Sequence, residues 1–191
     1  MKNTKLLETS LLNWLPFAFT IILSIGTAYG LAHQTQRQAA NDPQIQIAEE
    51  IVEYLSRGNP VESLGLTPST VDLEKSLAFF ITVVDSQYNQ VASTAFLGTD
   101  SPAIPSGVFA EAKLRKQNRV TWEPAKNVRH ATVAQYYESG ENSGYIVVGK
   151  SLREVEKRAN RLLIISAVGA AVGLSTSFIS VLFWKKQTAK A

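Results

Sequence analysis

Two histidines and no cysteine set a low ceiling on the chemistry this chain can do with its own side chains. A His/Cys metal site needs several such ligands converging, and a cysteine nucleophile needs a thiol. His33 falls at the edge of an apolar run, and His130 stands beside Arg129 at the start of a strand-like stretch. Both read as interfacial or structural residues. Carboxylates are more plentiful, but Glu49, Glu50, Glu53, Glu154 and Glu156 lie in helix-forming segments, where solvated charged faces are the default. No Walker-type or dinucleotide-binding glycine pattern occurs. The expectation is a protein that is not an enzyme, with no catalytic residues, no metal site and no cofactor.

The residues best suited to holding a small molecule are Trp122, Arg129, His130, Tyr136 and Tyr137. Together they offer aromatic area, a cation and hydrogen-bonding groups, the mixture that pockets with a few oriented polar contacts use. Alternation along a strand puts Tyr136 and Tyr137 on opposite faces. Trp122 and one of the two tyrosines are therefore equally natural as core.

The elements that must position these residues follow from periodicity. Asn41-Asp42-Pro43 reads as a helix start, with a capping residue and a proline in the first turn. Ile45, Ala48, Val52 and Leu55 then recur at helical spacing as far as Arg57, and Gly58-Asn59-Pro60 ends the helix. Pro60 to Ser76 is mixed, with a short helical turn at Val61–Leu64. Phe79–Asp85 and Gln90–Thr94 read as a hairpin, rich in β-branched and aromatic residues. A short helix at Gly107–Gln117 precedes three strands, Arg119–Glu123, Arg129–Glu138 and Tyr145–Gly149, the last two joined by the polar loop Ser139–Gly144. This order predicts an α+β fold with a central antiparallel sheet and a long N-terminal helix.

Two segments flank that domain and decide its class. Leu11–Ala32 carries no charged side chain across 22 positions, and Leu162–Trp184 none across 23. At ~1.5 Å per residue each reaches roughly 33–35 Å, enough for a hydrocarbon core of about 30 Å. Residues 1–10 and 185–191 are then short tails, 33–161 the domain between the spans. Gly30-Leu31-Ala32 resembles a signal-peptidase site, but the apolar run exceeds a typical signal core of roughly 7–15 residues, so the first span is expected to be retained.

The net charge of +3 belongs to the ends. Between His33 and Arg161 there are 14 Lys/Arg against 15 Asp/Glu, whereas Lys2, Lys5, Lys185, Lys186 and Lys190 face only Glu8. No basic stripe marks the domain for nucleic acid, and the terminal lysines suit an anionic lipid leaflet. Lys2 and Lys5 against Arg37 place the N-terminus inside; Lys150, Arg153, Lys157, Arg158 and Arg161 against three terminal lysines argue the reverse for the second span. The first helix usually dominates, so a two-pass cell-membrane protein is expected, both termini cytoplasmic and the domain extracytoplasmic.

Leu152, Val155, Ala159 and Leu162 fall at 3-4-3 spacing, a heptad seam that continues by count through Ser166, Gly169, Gly173 and Thr176. Gly169 and Gly173 form one G-x-x-x-G and Gly26 and Gly30 another. Small residues let membrane helices approach closely, so these four are candidates for helix pairing within one chain, in a homodimer, or with a partner membrane protein.

The helix Pro43–Arg57, the hairpin FFITVVDSQYNQVAST and the stretch GYIVVGKSLREVE together resemble the extracytoplasmic sensor modules of bacterial histidine kinases and chemoreceptors, of PAS-like or single-Cache type. In that family a membrane helix leads into a long helix and then an antiparallel sheet, whose last strand runs into the second membrane helix. The resemblance covers most of Ala40–Leu162 and rests on element order. It implies a small-molecule ligand and a signal passed through the membrane helices. Such receptors continue into a cytoplasmic output domain; only seven residues follow Trp184, so output is expected to go through a partner. The alternative is a structural or assembly protein of the cell envelope whose domain docks another protein.

Overall fold

The computed structural model describes residues 2–139 and 142–188. In chain order the elements are α1 (Lys2–Ala39), α2 (Asp42–Ser56), a 3₁₀ turn (Val61–Leu64), β1 (Val71–Asp72), β2 (Phe80–Asp85), β3 (Gln90–Ser93), β4 (Ala95–Phe96), α3 (Ser106–Arg115), β5 (Gln117–Ala125), β6 (Val128–Ser139), β7 (Asn142–Ser151) and α4 (Arg153–Thr188). The fold is α+β, as the order of periodicities predicts. The chain divides into two units, Arg37–Val155 and a helical unit drawn from the two chain ends.

In the Arg37–Val155 unit, five antiparallel strands lie in the order β3-β2-β7-β6-β5. The last strand in sequence is thus the middle one in space. β7 pairs with β2 from Phe80↔Gly149 to Asp85↔Gly144, and with β6 from His130↔Ser151 to Ser139↔Asn142. The tip of that second hairpin, Gly140 and Glu141 of the expected Ser139–Gly144 loop, lies outside the described residues.

Alternation along the central strands divides the core between two faces. On one, α2 supplies Ala48 and Leu55 against Val83, Val133, Ile146 and Val148. On the other, Phe109 and Ala112 of α3 meet Phe80, Val84, Trp122, Tyr145 and Val147. Each of the large apolar side chains here contributes about 1.5–3 kcal/mol by leaving water. Gly149 has a specific task in this packing. A Cβ there would lie 2.3 Å from the Phe80 ring and 3.0 Å from Thr132 Oγ1, so only glycine lets Phe80 lie across β7.

Several sequence expectations need correction. The first helix runs past the apolar stretch Leu11–Ala32 to Ala39, because Gln, Arg and Ala are all good helix formers. Asn41 does not cap α2 with its side chain: it is itself in the right-handed helical region, and its carbonyl accepts from Ile45 N at 3.0 Å. β5 and β6 extend beyond Arg119–Glu123 and Arg129–Glu138 into one hairpin, closed by Asn127 at φ +66. Pro124 is tolerated there because β5 is an edge strand. The parallel pair β1–β4, Val71↔Ala95 and Asp72↔Phe96, lay hidden in segments with too few alternating residues to show a period.

The helical unit reverses the usual arrangement. α1 and α4 each contain a run long and apolar enough to cross a membrane, Glu8–Gln36 and Arg153–Thr188, and almost none of either is buried. Phe19, Leu12, Ile179 and Phe183 are each more than 60% exposed. The two helices are antiparallel neighbours: Trp14 Nε1 donates to Ser177 Oγ at 2.9 Å, Trp14 and Phe178 rings meet edge to face at 5.4 Å, and Ile21 lies against Gly173.

Covered positions on α1 include Ser10, Trp14, Ala18, Ile21, Ile25 and Tyr29, and on α4 Leu162, Ser166, Ala170, Gly173, Ser177 and Val181, with Leu174, Phe178 and Leu182 partly covered beside them. Both lines follow an 11-residue rhythm of fours and threes. Beyond Ser166 the heptad count holds only in part: Gly173 is covered, but Ala170 and Ser177 are partly covered where Gly169 and Thr176 are exposed. A straight helix drifts about 20° per heptad away from a seven-residue repeat, and an 11-residue repeat drifts in the opposite sense, towards a right-handed crossing.

Candidate functional site

A cleft of about 380 Å³ opens on the α2 side of the sheet, at the end of β7 remote from α4. Its floor is a row across three strands. Asp85, Gly144 and Tyr137 are successive cross-strand partners on β2, β7 and β6, so their side-chain positions share one face. Gly144 vacates the middle of the row, and the Tyr137 ring fills the space: a Cβ on Gly144 would lie 3.0 Å from both Tyr137 Cε1 and its hydroxyl. The wall comes from the end of α2 and the turn after it, with Leu55, Asn59, Val61 and Glu62. Ser139, Ser143 and Val91 complete the rim among the described residues.

Local sequence explains each position. α2 ends at Ser56; Gly58, two residues on, turns the chain with a φ of +85 that suits only glycine well, and Asn59 Nδ2 donates to Tyr54 O at 2.8 Å, capping the helix end. Asp85 organises the β2–β3 turn: Oδ1 accepts from Gln87 N and Asn89 N, both at 2.8 Å, and Oδ2 from Asn89 Nδ2 at 3.0 Å. Hydrogen bonds from Asn89 hold its carboxyl below the ordinary aspartate pKa. It is therefore a fixed anion at the cleft edge. Burial first, and then the Asp85 charge, push the Tyr137 hydroxyl pKa up. Tyr137 is 8% exposed and lies on the cleft floor.

Of the five residues expected to line a pocket, only Tyr137 lies in this cleft. The structure does not bring the five together. Trp122 and His130 face each other across β5 and β6 and pack with Phe80, each 5.6 Å from the Phe80 ring centre. His130 is 2% exposed, its Nδ1 has no hydrogen-bond partner among the described residues, and burial lowers its pKa against backbone hydrogen bonding at Val128 and Leu73. Arg129 is half-exposed, 3.9 Å from Glu123. Tyr136 lies on the opposite face from Tyr137, against Tyr145, with Lys116 Nζ 5.2 Å and Lys113 Nζ 6.0 Å from its ring centre. Burial and the neighbouring Tyr88 raise the Tyr145 pKa to about 12. Among the described residues no group of three or more His, Cys, Asp or Glu side chains is arranged to hold a metal ion.

Asp85, Glu62 and the two rim serines are the cleft residues that sequence reading passed over. One signal was available: Gly144 and Gly149 bracket the last strand, and glycine inside a strand marks a close approach.

At the other end of β7 the chain enters α4 within two residues. Leu152 N donates to Arg129 O at 2.8 Å. The Arg153 guanidinium donates to Glu74 O at 3.2 Å and Lys75 O at 2.9 Å, tying the first turn of α4 to the loop after β1. Leu152 thus lies in the junction itself, and Val155, Ala159 and Leu162 follow on the partly covered line of α4. Of the four pairing glycines, Gly173 meets Ile21, while Gly26, Gly30 and Gly169 have nothing within 4 Å. No protein-family description, curated protein or solved structure matches this chain.

Proposed function

We propose that this chain is a membrane-anchored, PAS/Cache-like sensing module that binds a small ligand outside the cytoplasm and passes a signal to a partner through its membrane helices. The reading assigns it no catalytic step. One observation carries it: the central strand of the sheet leads directly into a long apolar helix whose first turn is clamped at Arg129, Glu74 and Lys75. A ligand that favours one setting of β7 over another has a covalent route to α4, and only such differential binding can shift the equilibrium. The exposed apolar surface of α1 and α4 supports insertion into lipid.

The native chain has no cysteine, so single-cysteine variants report cleanly. In intact cells, a membrane-impermeant maleimide is expected to label Thr99→Cys and to leave Lys186→Cys unlabelled until the membrane is opened. The opposite result would overturn the orientation, and labelling of both would overturn the anchoring.

A second reading, an envelope assembly protein whose domain docks another protein, is favoured by a different observation. Both faces of the sheet are filled by the domain's own side chains, and the cleft lies at one end of it. Stable co-purification of one envelope partner, with cross-linking at Ala159→Cys unaffected by any bound small molecule, would select it.

A further inference from the structure

We infer that the membrane-proximal turns of α4 bind the headgroup of an anionic phospholipid through Arg158 and Arg161, with Lys157 beside them; this rests on the membrane-anchored reading and names a lipid partner for it. All three cations are exposed, while Ala159 and Leu162 beside them are partly covered. Neither arginine has a hydrogen bond or ion pair among the described residues. The five positions from Lys157 to Arg161 hold three cations and no carboxylate, and α1 holds no carboxylate after Glu8.

Depth decides what these side chains meet. The uncharged run of α4 begins at Leu162. At ~1.5 Å per residue, Arg161 lies about 1.5 Å and Arg158 about 6 Å before it. The headgroup layer is roughly 5–7 Å thick on each side of the hydrocarbon core, so both guanidinium groups sit at phosphate level. The neighbouring helix marks the same level independently. Trp14 and Ser177 are in contact; Tyr29 stands 15 positions after the one and Leu162 15 before the other, so antiparallel packing sets Tyr29 level with the start of the run. Tyr29 stacks on His33, ring centres 5.8 Å apart, an amphipathic aromatic pair of the kind that collects at the membrane interface.

The planar fork of arginine offers paired N–H groups to two phosphate oxygens. A zwitterionic headgroup would bring its own ammonium against three cations, whereas an anionic one brings net negative charge alone. By count these same residues oppose the proposed orientation, because they stand on the side that is ordinarily poor in Lys and Arg. Headgroup phosphate in the leaflet on the domain side offsets that excess.

The test extracts the full-length chain in mild detergent, adds phosphatidylglycerol or phosphatidylcholine, and counts retained lipids by native mass spectrometry. The wild-type chain is expected to retain phosphatidylglycerol in preference. Arg158→Gln and Arg161→Gln should each weaken that retention about fivefold, the equivalent of the roughly 1 kcal/mol that one cation near an anionic surface contributes. Arg119→Gln, which removes an exposed arginine from the sheet domain, should leave it unchanged. Equal retention of the two lipids, or a loss in Arg119→Gln as large as in the α4 variants, would overturn the assignment. Saturable binding of glycerol 3-phosphate without any lipid preference would also overturn it, in favour of a soluble phosphate. Carbonate extraction of the same membranes keeps this apart from anchoring. A chain released into the soluble fraction sinks the anchored reading, whereas one held in the pellet without lipid preference sinks the headgroup site alone.

Discussion

The two units of this protein use the same apolar residue types and expose them oppositely. Phe80 and Phe109 in the sheet domain are each 1% exposed, whereas Phe19 and Phe183 in the helical unit are 69% and 64% exposed. Burial in the domain is driven by water, and its packing is correspondingly tight, down to a glycine under Phe80. In the helical unit the covered positions run along one side of each helix and include Trp14 and Phe178 as well as small residues. An indole–hydroxyl hydrogen bond joins the two helices, and most of the apolar surface is left uncovered. That is the pattern of helices whose solvent is lipid, where polar and small residues bring helices together and apolar bulk does not.

The largest test of this contrast is a matched pair of truncations. Phe80→Ala opens the core and is expected to cost about 3–5 kcal/mol of domain stability, while Phe19→Ala leaves domain unfolding unchanged. Urea denaturation in nanodiscs, followed by tryptophan fluorescence, measures both; equal effects would break the comparison. A smaller effect comes from adding one methyl group. Gly149→Ala forces the buried Phe80 ring aside and should cost about 1–3 kcal/mol, whereas Gly30→Ala, with open space around it, should cost none by the same assay.

The smallest is a pH effect at the packed end of the sheet. The folded His130 has a lowered pKa, so the unfolded chain binds a proton more readily than the native one. Its contribution is intact above the unfolded value of ~6.5 and is lost as pH falls from there towards the folded value. The melting temperature is expected to drop between about pH 7 and pH 5, and the drop should shrink in His130→Gln. A pH profile identical in the variant would show that the buried imidazole does not supply it.

How much was legible can be argued from particular residues. The exit strand and its helix were readable because GYIVVGKSLREVE holds both signals in one short stretch: a continuous β-branched run, then charged helix formers. The two apolar runs were readable because charge is absent over more than 20 positions in each. Tyr136 and Tyr137 fell on opposite faces as alternation requires, but nothing local said which of them faces an opening. The grouping of Trp122, Arg129 and His130 with both tyrosines joined residues that neighbour one another in sequence but lie on different faces and at different ends of the sheet. Asp85 and Glu62 escaped notice because each looks like an ordinary turn or helix-end acid until another strand and helix come beside it.

By itself the sequence determined the α+β order, the two apolar helices, the placement of basic charge at the chain ends and the direct passage from last strand to last helix. These depend on residues within one or two turns of each other, where period and propensity act. Tertiary structure alone decided that β7 is the central strand, that Gly144 and Gly149 admit Tyr137 and Phe80 across it, and that Tyr137, Asp85 and Glu62 share a cleft. Those outcomes depend on pairing between segments tens of residues apart, and cross-strand register leaves no period in any one of them.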